Sequence, residues 1–397
     1  MLTLEEARTA ILERVTPATA TETVALARAR GRFAAAEIRA QVDNPAFENS
    51  AMDGYALCAA DLAAAAFSLL LVGESKAGEA PSPLAPKTCM RIFTGAPIPA
   101  GADTVVIQED SRRDGEAVSF PRSVQVDANI RRRGEDFKEG ESLFLPGQRL
   151  DAYKLALLAT AGVAQVPVYR RARALVVATG DELVAPGAPL KPGQIYESNR
   201  LATLAQLEEF GVEAVDGGTV SDDAGELRAL LRRSTDYDFI ITSGGASVGD
   251  YDVVKQVFAE IGEIEFWKVK IKPGKPLAFG RVGRRTHFFA LPGNPVSSLV
   301  TYKLFVEPAL AVWHHAVPQQ WQLPATAANG FRRQVGRTEF LRARLYIEDG
   351  KLMAEALKGQ GSHMLGPIRA TNGFIRVEAD SSGFAAGDDI TVMPLTI

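Results

Sequence analysis

The stretch Phe239-Ile-Ile-Thr-Ser-Gly-Gly-Ala-Ser-Val-Gly-Asp250 opens as a short apolar run and passes straight into glycines and serines. A run this short, closed by turn residues, has the length of a buried strand. Beyond it, Val254, Val257, Phe258 and Ile261 fall on one helical face, so the loop joins a strand to a helix. The same alternation extends upstream. Ala174 to Ala178 reads as a buried strand, Leu201, Leu204 and Leu207 as a helix that stops at Gly211, and Leu227, Leu230 and Leu231 as a second helix. Such alternation predicts an α/β domain with a mainly parallel sheet and helices on both sides.

In sheets of this kind ligands bind beyond the carboxyl ends of the strands. Small residues there let the backbone approach a ligand, and the N–H groups of the following helix start then suit a phosphate. The competing reading is a tight turn whose glycines serve sterics alone. Gly245-Ala-Ser-Val-Gly249 also matches the nucleophile elbow of serine hydrolases, with Ser247 as nucleophile. That chemistry needs a downstream histidine. His287 falls within an apparent strand and His314-His315 end an apolar helix, which leaves His363 as the base.

The surroundings favour anion binding over acyl transfer. Trp267-Lys-Val-Lys-Ile-Lys-Pro-Gly-Lys-Pro276 reads as a strand with Lys268, Lys270 and Lys272 on one side and Val269 and Ile271 on the other. Lys275 stands on the turn that follows. Converging ammonium groups fit a polyanion, although a lysine-guarded strand edge has the same pattern. Arg131-Arg-Arg133 is a second cationic cluster. Acids supply the complement at Asp181-Glu182, Asp222-Asp223 and on either side of Tyr251 at Asp250 and Asp252. Singly, Asp223 and Asp250 read as helix caps. Together with lysines and a phosphate loop, these acids suggest Mg²⁺, which takes one or two carboxylates plus phosphate and water.

Around this domain the texture changes. Residues 1–44 look helical, with a cap at Thr3; residues 45–137 look β-like; Tyr153 to Gly162 is helical again. This predicts a discontinuous helical domain (1–44 and 138–172) split by a β insertion (45–137), then the α/β domain (173–318) and a C-terminal β domain (319–397). In the last, Leu341, Ala343, Leu345 and Ile347 alternate up to Asp349-Gly350, a hairpin signal. A chain of 397 residues is too long for one ordinary core, which agrees with several domains.

Composition excludes more than it assigns. A net charge of −4 provides no field for nucleic acid or an anionic membrane. Two cysteines rule out a disulfide framework or thiolate zinc site, and four histidines stand in no ligand spacing. No secretory leader or bilayer-length apolar run is evident, so a cytoplasmic enzyme is expected.

Seven ordered motifs bring in a resemblance. Asn49-Ser-Ala-Met-Asp-Gly-Tyr-Ala56, Phe93-Thr-Gly-Ala-Pro-Ile-Pro99, Arg131-Arg-Arg-Gly-Glu-Asp136 and Thr179-Gly-Asp-Glu-Leu183 form the first part. Ser243-Gly-Gly-Ala-Ser-Val-Gly249, Ile271-Lys-Pro-Gly-Lys-Pro276 and Leu291-Pro-Gly-Asn-Pro-Val296 complete it. In this order they closely resemble the molybdopterin molybdenumtransferases, the MoeA and gephyrin E-domain family. The resemblance covers nearly the whole chain and implies a C-terminal β-barrel and a homodimer, with the cleft between the α/β domain of one subunit and the insertion of its mate. It implies insertion of molybdenum from molybdate into adenylylated molybdopterin with release of AMP, assisted by Mg²⁺. A molybdopterin adenylyltransferase is implied as upstream partner.

Carried over by motif, the implied catalytic acids are Asp53, Asp136, Glu182, Asp222 and Asp252, with Glu182, Asp222 and Asp252 holding the metal. The substrate-binding set comprises Thr94, Ser243, Gly244, Gly245, Ser247, Gly249, Lys268, Lys272, Lys275, Pro292, Pro295 and Ser362. The family often has Val before the loop serine where this chain has Ala246, and Asp250 stands beside Asp252 as a second candidate acid. Some gephyrin relatives anchor partner proteins, so a non-catalytic scaffold or binding module is the other class of function.

Overall fold

A computed structural model describes residues 1–221, 224–232, 234–244, 257, 260, 262–283, 285–319 and 322–395. At its centre is a six-stranded sheet. The strand order is Glu213–Val220, Arg173–Thr179, Phe239–Ser243, Thr286–Leu291, Pro276–Val282, Gly262–Lys268. The first four strands are mutually parallel and the last two are antiparallel additions. Arg173–Thr179, Phe239–Ser243 and Thr286–Leu291 are almost wholly buried, as strands covered on both faces must be. One face packs Val176, Phe239, Ile241 and Phe289, and the other Leu175, Val177, Ile240 and Phe288. Alternate residues therefore serve opposite cores.

Asn199–Phe210 forms the first crossover helix, ended by Gly211 at φ 101°, a left-handed cap that glycine adopts without strain. Ala224–Leu231 buries Leu227 and Leu231. Of the helix expected after the glycine loop, only Val257 and Glu260 are described; both are helical and Val257 is fully buried. Pro295–Thr301 opens a last helical run that passes through a π-helical turn, Tyr302–Val306, into Glu307–Trp313. Pro308 lacks the N–H that would bond back to Leu304, which accounts for the irregular turn.

Residues 1–44 depart from the helical expectation. A helix occupies only Leu4–Arg14, started by Thr3 and Glu6 in a reciprocal capping box. Its Leu4, Ala7 and Ile11 pack into the same core as Phe305, Leu310 and Trp313 of the α/β unit. After Arg14 the chain forms the strand Thr21–Ala25, paired antiparallel with Gln165–Tyr169, and short pieces around it. A mixture of small and charged residues hid this strand, which has one half-buried position at Val24.

The insertion holds a second six-stranded sheet, ordered Thr104–Ile107, Gly54–Leu57, Thr88–Ile92, Ser68–Ser75, Ala117–Ser119, Arg112–Asp114. In the C-terminal unit, Thr338–Glu348, Lys351–Ala356, Leu323–Ala327, Asp389–Pro394 and Gly373–Val377 close into a barrel by pairing the first with the last. Asp349 and Gly350, at φ 48° and 74°, make the two-residue turn of the Thr338–Glu348/Lys351–Ala356 hairpin. Together these parts make a multidomain α/β plus β protein. No helix among the described residues is long and apolar enough to cross a membrane.

The lysine-rich segment is not one continuous strand. Gly262–Lys268 ends in the central sheet, Val269 bridges to Leu2, and Ile271–Lys272 pairs in parallel with Thr338 and Glu339 of the barrel. The alternation survives the change of sheet. Val269 and Ile271 are fully buried, while Lys268, Lys270 and Lys272 face outward.

Candidate active site

Three parallel strands set the first part of the site. Ala178 pairs with Ser243, and Ser243 with Leu291, so all three strands end at one level. Thr179-Gly-Asp-Glu182, Ser243-Gly244 and Leu291-Pro-Gly293 therefore leave the sheet side by side. Gly244 has φ +93°, and a Cβ on it would lie 2.3 Å from the carbonyl oxygen of Thr179. A Cβ on Gly293 would touch the Cα of Gly244 at 3.5 Å. Glycine is thus required at 244, while at 293 a side chain would only come into ordinary contact with the neighbouring loop. Asn199 donates from Nδ2 to the carbonyl of Gly293 at 2.8 Å and pins that loop. Ser243 is buried within the strand, whereas Asp181 and Glu182 are exposed at the rim. Gly245, Ser247, Gly249, Asp222 and Asp252 lie outside the described residues.

Beside the rim, a cleft of about 560 Å³ opens between the α/β unit and the barrel. Lys272, Lys275 and Ser362 line it, with Asn294, Arg337, Glu339 and His363. Gly274 at φ +108° makes the turn that presents Lys275, and a Cβ there would lie 2.6 Å from Cγ2 of Thr301. Pro295 occupies the first turn of its helix, where its missing N–H costs nothing. The Val296 amide donates to the carbonyl of Ser362 at 3.1 Å and ties the barrel loop to this helix start. Pro292 is buried at the end of its strand. Lys272 pairs through Nζ with Oε1 of Glu339 at 2.9 Å. Lys268 is exposed but does not line this cleft.

The insertion carries a separate polar pair. Asp53 Oδ1 accepts from both the amide and the hydroxyl of Thr94, at 2.7 and 2.8 Å. These two hydrogen bonds, the backbone one first, hold the Asp53 carboxyl below its usual range. The next residue, Gly54, fixes the geometry, since a Cβ there would lie 2.0 Å from the Val106 carbonyl oxygen. Asp136 accepts from Asn44 Nδ2 at 2.9 Å where the insertion rejoins the chain. Asp53, Thr94 and Asp136 line no part of the 560 Å³ cleft. Of the nearby arginines, Arg132 pairs with Glu48 and Asp127, and Arg133 with Asp43. Two members of that cluster are therefore engaged by local acids.

Residues 2–162 match the family described as MoeA N-terminal region (domain I and II). Residues 175–312 match a probable molybdopterin binding domain, and residues 324–395 the MoeA C-terminal region (domain IV). The chain is 40% identical to a molybdopterin molybdenumtransferase of Haemophilus influenzae, across 99% of this chain and 98% of that one. The chain belongs to the MoeA family. A second relative, molybdopterin molybdenumtransferase 2 of Mycobacterium tuberculosis, is 37% identical across 94% of this chain and 95% of its own. The MoeA fold extends to a crystal structure of the molybdopterin biosynthesis MoeA protein from Pyrococcus horikoshii OT3. That structure matches with a TM-score of 0.84 and 28% identity, over 99% of this chain and 100% of that one.

Within this MoeA scaffold, two of the four histidines serve the core. Burial pushes His287 down to about 4, with Arg281 adding to the effect, and its Nε2 accepts from the Thr16 amide. Burial likewise brings His314 to about 4, and the ring stacks on Phe33. His363 alone lines the cleft. Sequence reasoning did not single out Asn199, Asn294, Arg337 or Glu339. Asn294 sat in a quoted motif and was within reach, but Arg337, just before the barrel strand Thr338–Glu348, and Glu339 within it lie far along the chain and carry no spacing signal.

Proposed function

We propose that this chain inserts molybdenum from molybdate into adenylylated molybdopterin with release of AMP. The single observation that carries the reading is the cleft where Lys272, Lys275 and Ser362 converge beside a glycine-lined sheet end. Ammonium groups and bared amides there neutralise tetrahedral oxyanion and pyrophosphate charge. The two MoeA relatives, named for this transfer, support the same chemistry.

In this reading Lys268, Lys272, Lys275 and Ser362 hold oxyanion or phosphate, with Ser243 and Gly244 at the sheet end; Gly245, Ser247 and Gly249, next in sequence, belong to the same substrate-binding set. Pro292 and Pro295 shape the wall. Asp53, held by Thr94, and Asp136 act from the insertion. Because neither lines the cleft of its own chain, a homodimer that brings the partner's insertion over the cleft completes the site. Glu182, Asp222 and Asp252 hold Mg²⁺. The Glu182 carboxylate is exposed at the rim and makes no hydrogen bond to another described residue, which suits a hard cation that keeps several waters. When bound, the metal supplies positive charge against the pyrophosphate; the chain's own groups orient the substrate. The domain division at 45, 138, 173 and 319, a cytoplasmic location and delivery by a molybdopterin adenylyltransferase belong to the same proposal.

The test is to incubate purified protein with adenylylated molybdopterin, Mg²⁺ and molybdate and to follow AMP. Molybdate-dependent AMP release is expected, and its absence overturns the reading. Neither a serine hydrolase nor a scaffold is favoured by these relatives; fluorophosphonate labelling at Ser247 would restore the former.

A further inference from the structure

A cleft built for a dianion has a carboxylate in its wall. Glu339 is 2% exposed and lines the same cavity as Lys272, Lys275, Arg337, Ser362 and His363. An uncompensated carboxylate here would repel molybdate strongly, because charge interactions strengthen away from bulk water. Each Glu339 oxygen instead faces one cation. Oε1 meets Lys272 at 2.9 Å, and Oε2 meets Arg333 at 3.5 Å.

The two cations differ in freedom. Arg333 has a side chain only 4% exposed and donates to the backbone carbonyls of Gln334 and Arg337, so it is fixed. Lys272 has a side chain 49% exposed and a flexible stem, so its ammonium can turn to a ligand in the cleft. The pairing is built into the backbone, because Lys272 and Glu339 are register partners where the lysine segment joins the barrel.

We infer that Glu339 competes with the incoming oxyanion for Lys272 and so sets the affinity of the cleft, holding it below what its lysines alone would give. This rests on the proposed function, in which the cleft takes molybdate. Binding transfers the Lys272 ammonium from Glu339 to the anion and leaves the carboxylate with Arg333. No bond is made or broken.

The experiment is calorimetric titration of the full-length protein with sodium molybdate at constant pH and low salt. Glu339→Gln keeps the shape and removes the charge, and is expected to tighten molybdate binding about 3- to 10-fold, the scale of one partly solvated charge pair. Added salt should shrink the gain. A side chain with a purely structural role would, on removal, leave affinity equal or weaker, so the sign of the change is diagnostic. In a Lys272→Gln background the part of the gain that comes from freeing the ammonium is lost, so the gain should shrink; a gain as large as in the wild type would mean plain repulsion by Glu339 rather than competition for Lys272, and would overturn the inference. Glu339→Asp keeps a charge beside Arg333 and only shortens the reach to Lys272; a smaller gain in the same direction is expected, which keeps the proposal testable if the glutamine variant fails to fold. Equal or weaker binding in the variants that fold overturns it. Lys275→Gln separates the two levels. If that change leaves wild-type affinity untouched, the cleft is not the oxyanion site and the proposed function fails. If it weakens binding while the Glu339 variants do not tighten it, only the present inference fails.

Discussion

Gly244 and the buried histidines show how much single residues decide here. Gly244→Ala would place a methyl 2.3 Å from the Thr179 carbonyl oxygen at a φ of +93°. Strain at such a φ is about 1–2 kcal/mol before the clash is counted. Denaturant unfolding is expected to show a loss of about 2–4 kcal/mol, with AMP release falling at least about tenfold because the rim loops no longer meet. His287 and His314 make a different contribution. Each is brought to about 4 in the folded chain from 6.5, so the unfolded chain binds more protons between those values. Their stabilisation is complete above pH 6.5 and is lost as pH falls toward 4, about 3 kcal/mol each. Melting temperature should therefore drop steeply below pH 6.5 in the wild type, and less steeply in His287→Gln. A slope unchanged in the variant would remove His287 from the account.

Among the elements, strands that bury both faces were the most legible, because a run such as Phe239-Ile-Ile-Thr has no other use for its side chains. The Asp349-Gly350 hairpin and the Gly211 stop were equally readable, since few residues accept their backbone angles. What stayed hidden was pairing between distant segments. Nothing near Lys272 in sequence shows that its partner is Glu339, or that the strand changes sheets after Lys268. Thr21–Ala25 escaped for a related reason, as its contribution is backbone pairing with Gln165–Tyr169 more than apolar burial. The lysines and Ser362 could be named from motifs, yet their convergence depends on the barrel. An element-level test lies in the insertion. Gly54→Ala puts a methyl 2.0 Å from the Val106 carbonyl oxygen and must part Gly54–Leu57 from Thr104–Ile107. Limited proteolysis is expected to cut within residues 45–137 while the remainder resists, and AMP release should fall with displacement of Asp53.

Across the molecule, the N-terminus braces the lysine segment. Leu2 accepts from the Lys270 amide at 2.7 Å and donates to the Lys268 carbonyl at 3.3 Å, and Glu5 pairs with Arg376 of the barrel. Removing residues 1–3 takes away this pairing and the helix cap together. The melting temperature is expected to fall by several degrees, and molybdate affinity to fall with it; a truncated protein with unchanged binding would mean that the lysines hold their places without the brace. The passage of Ile271–Lys272 from one sheet into another has an engineering consequence. The barrel supplies the edge against which a cation-bearing stretch of the neighbouring unit is laid, so the two cannot be exchanged as cassettes. A chimera carrying a relative's C-terminal unit would keep its substrate grip only if the docking edge at Thr338 and Glu339 were grafted along with its counterpart at Ile271 and Lys272.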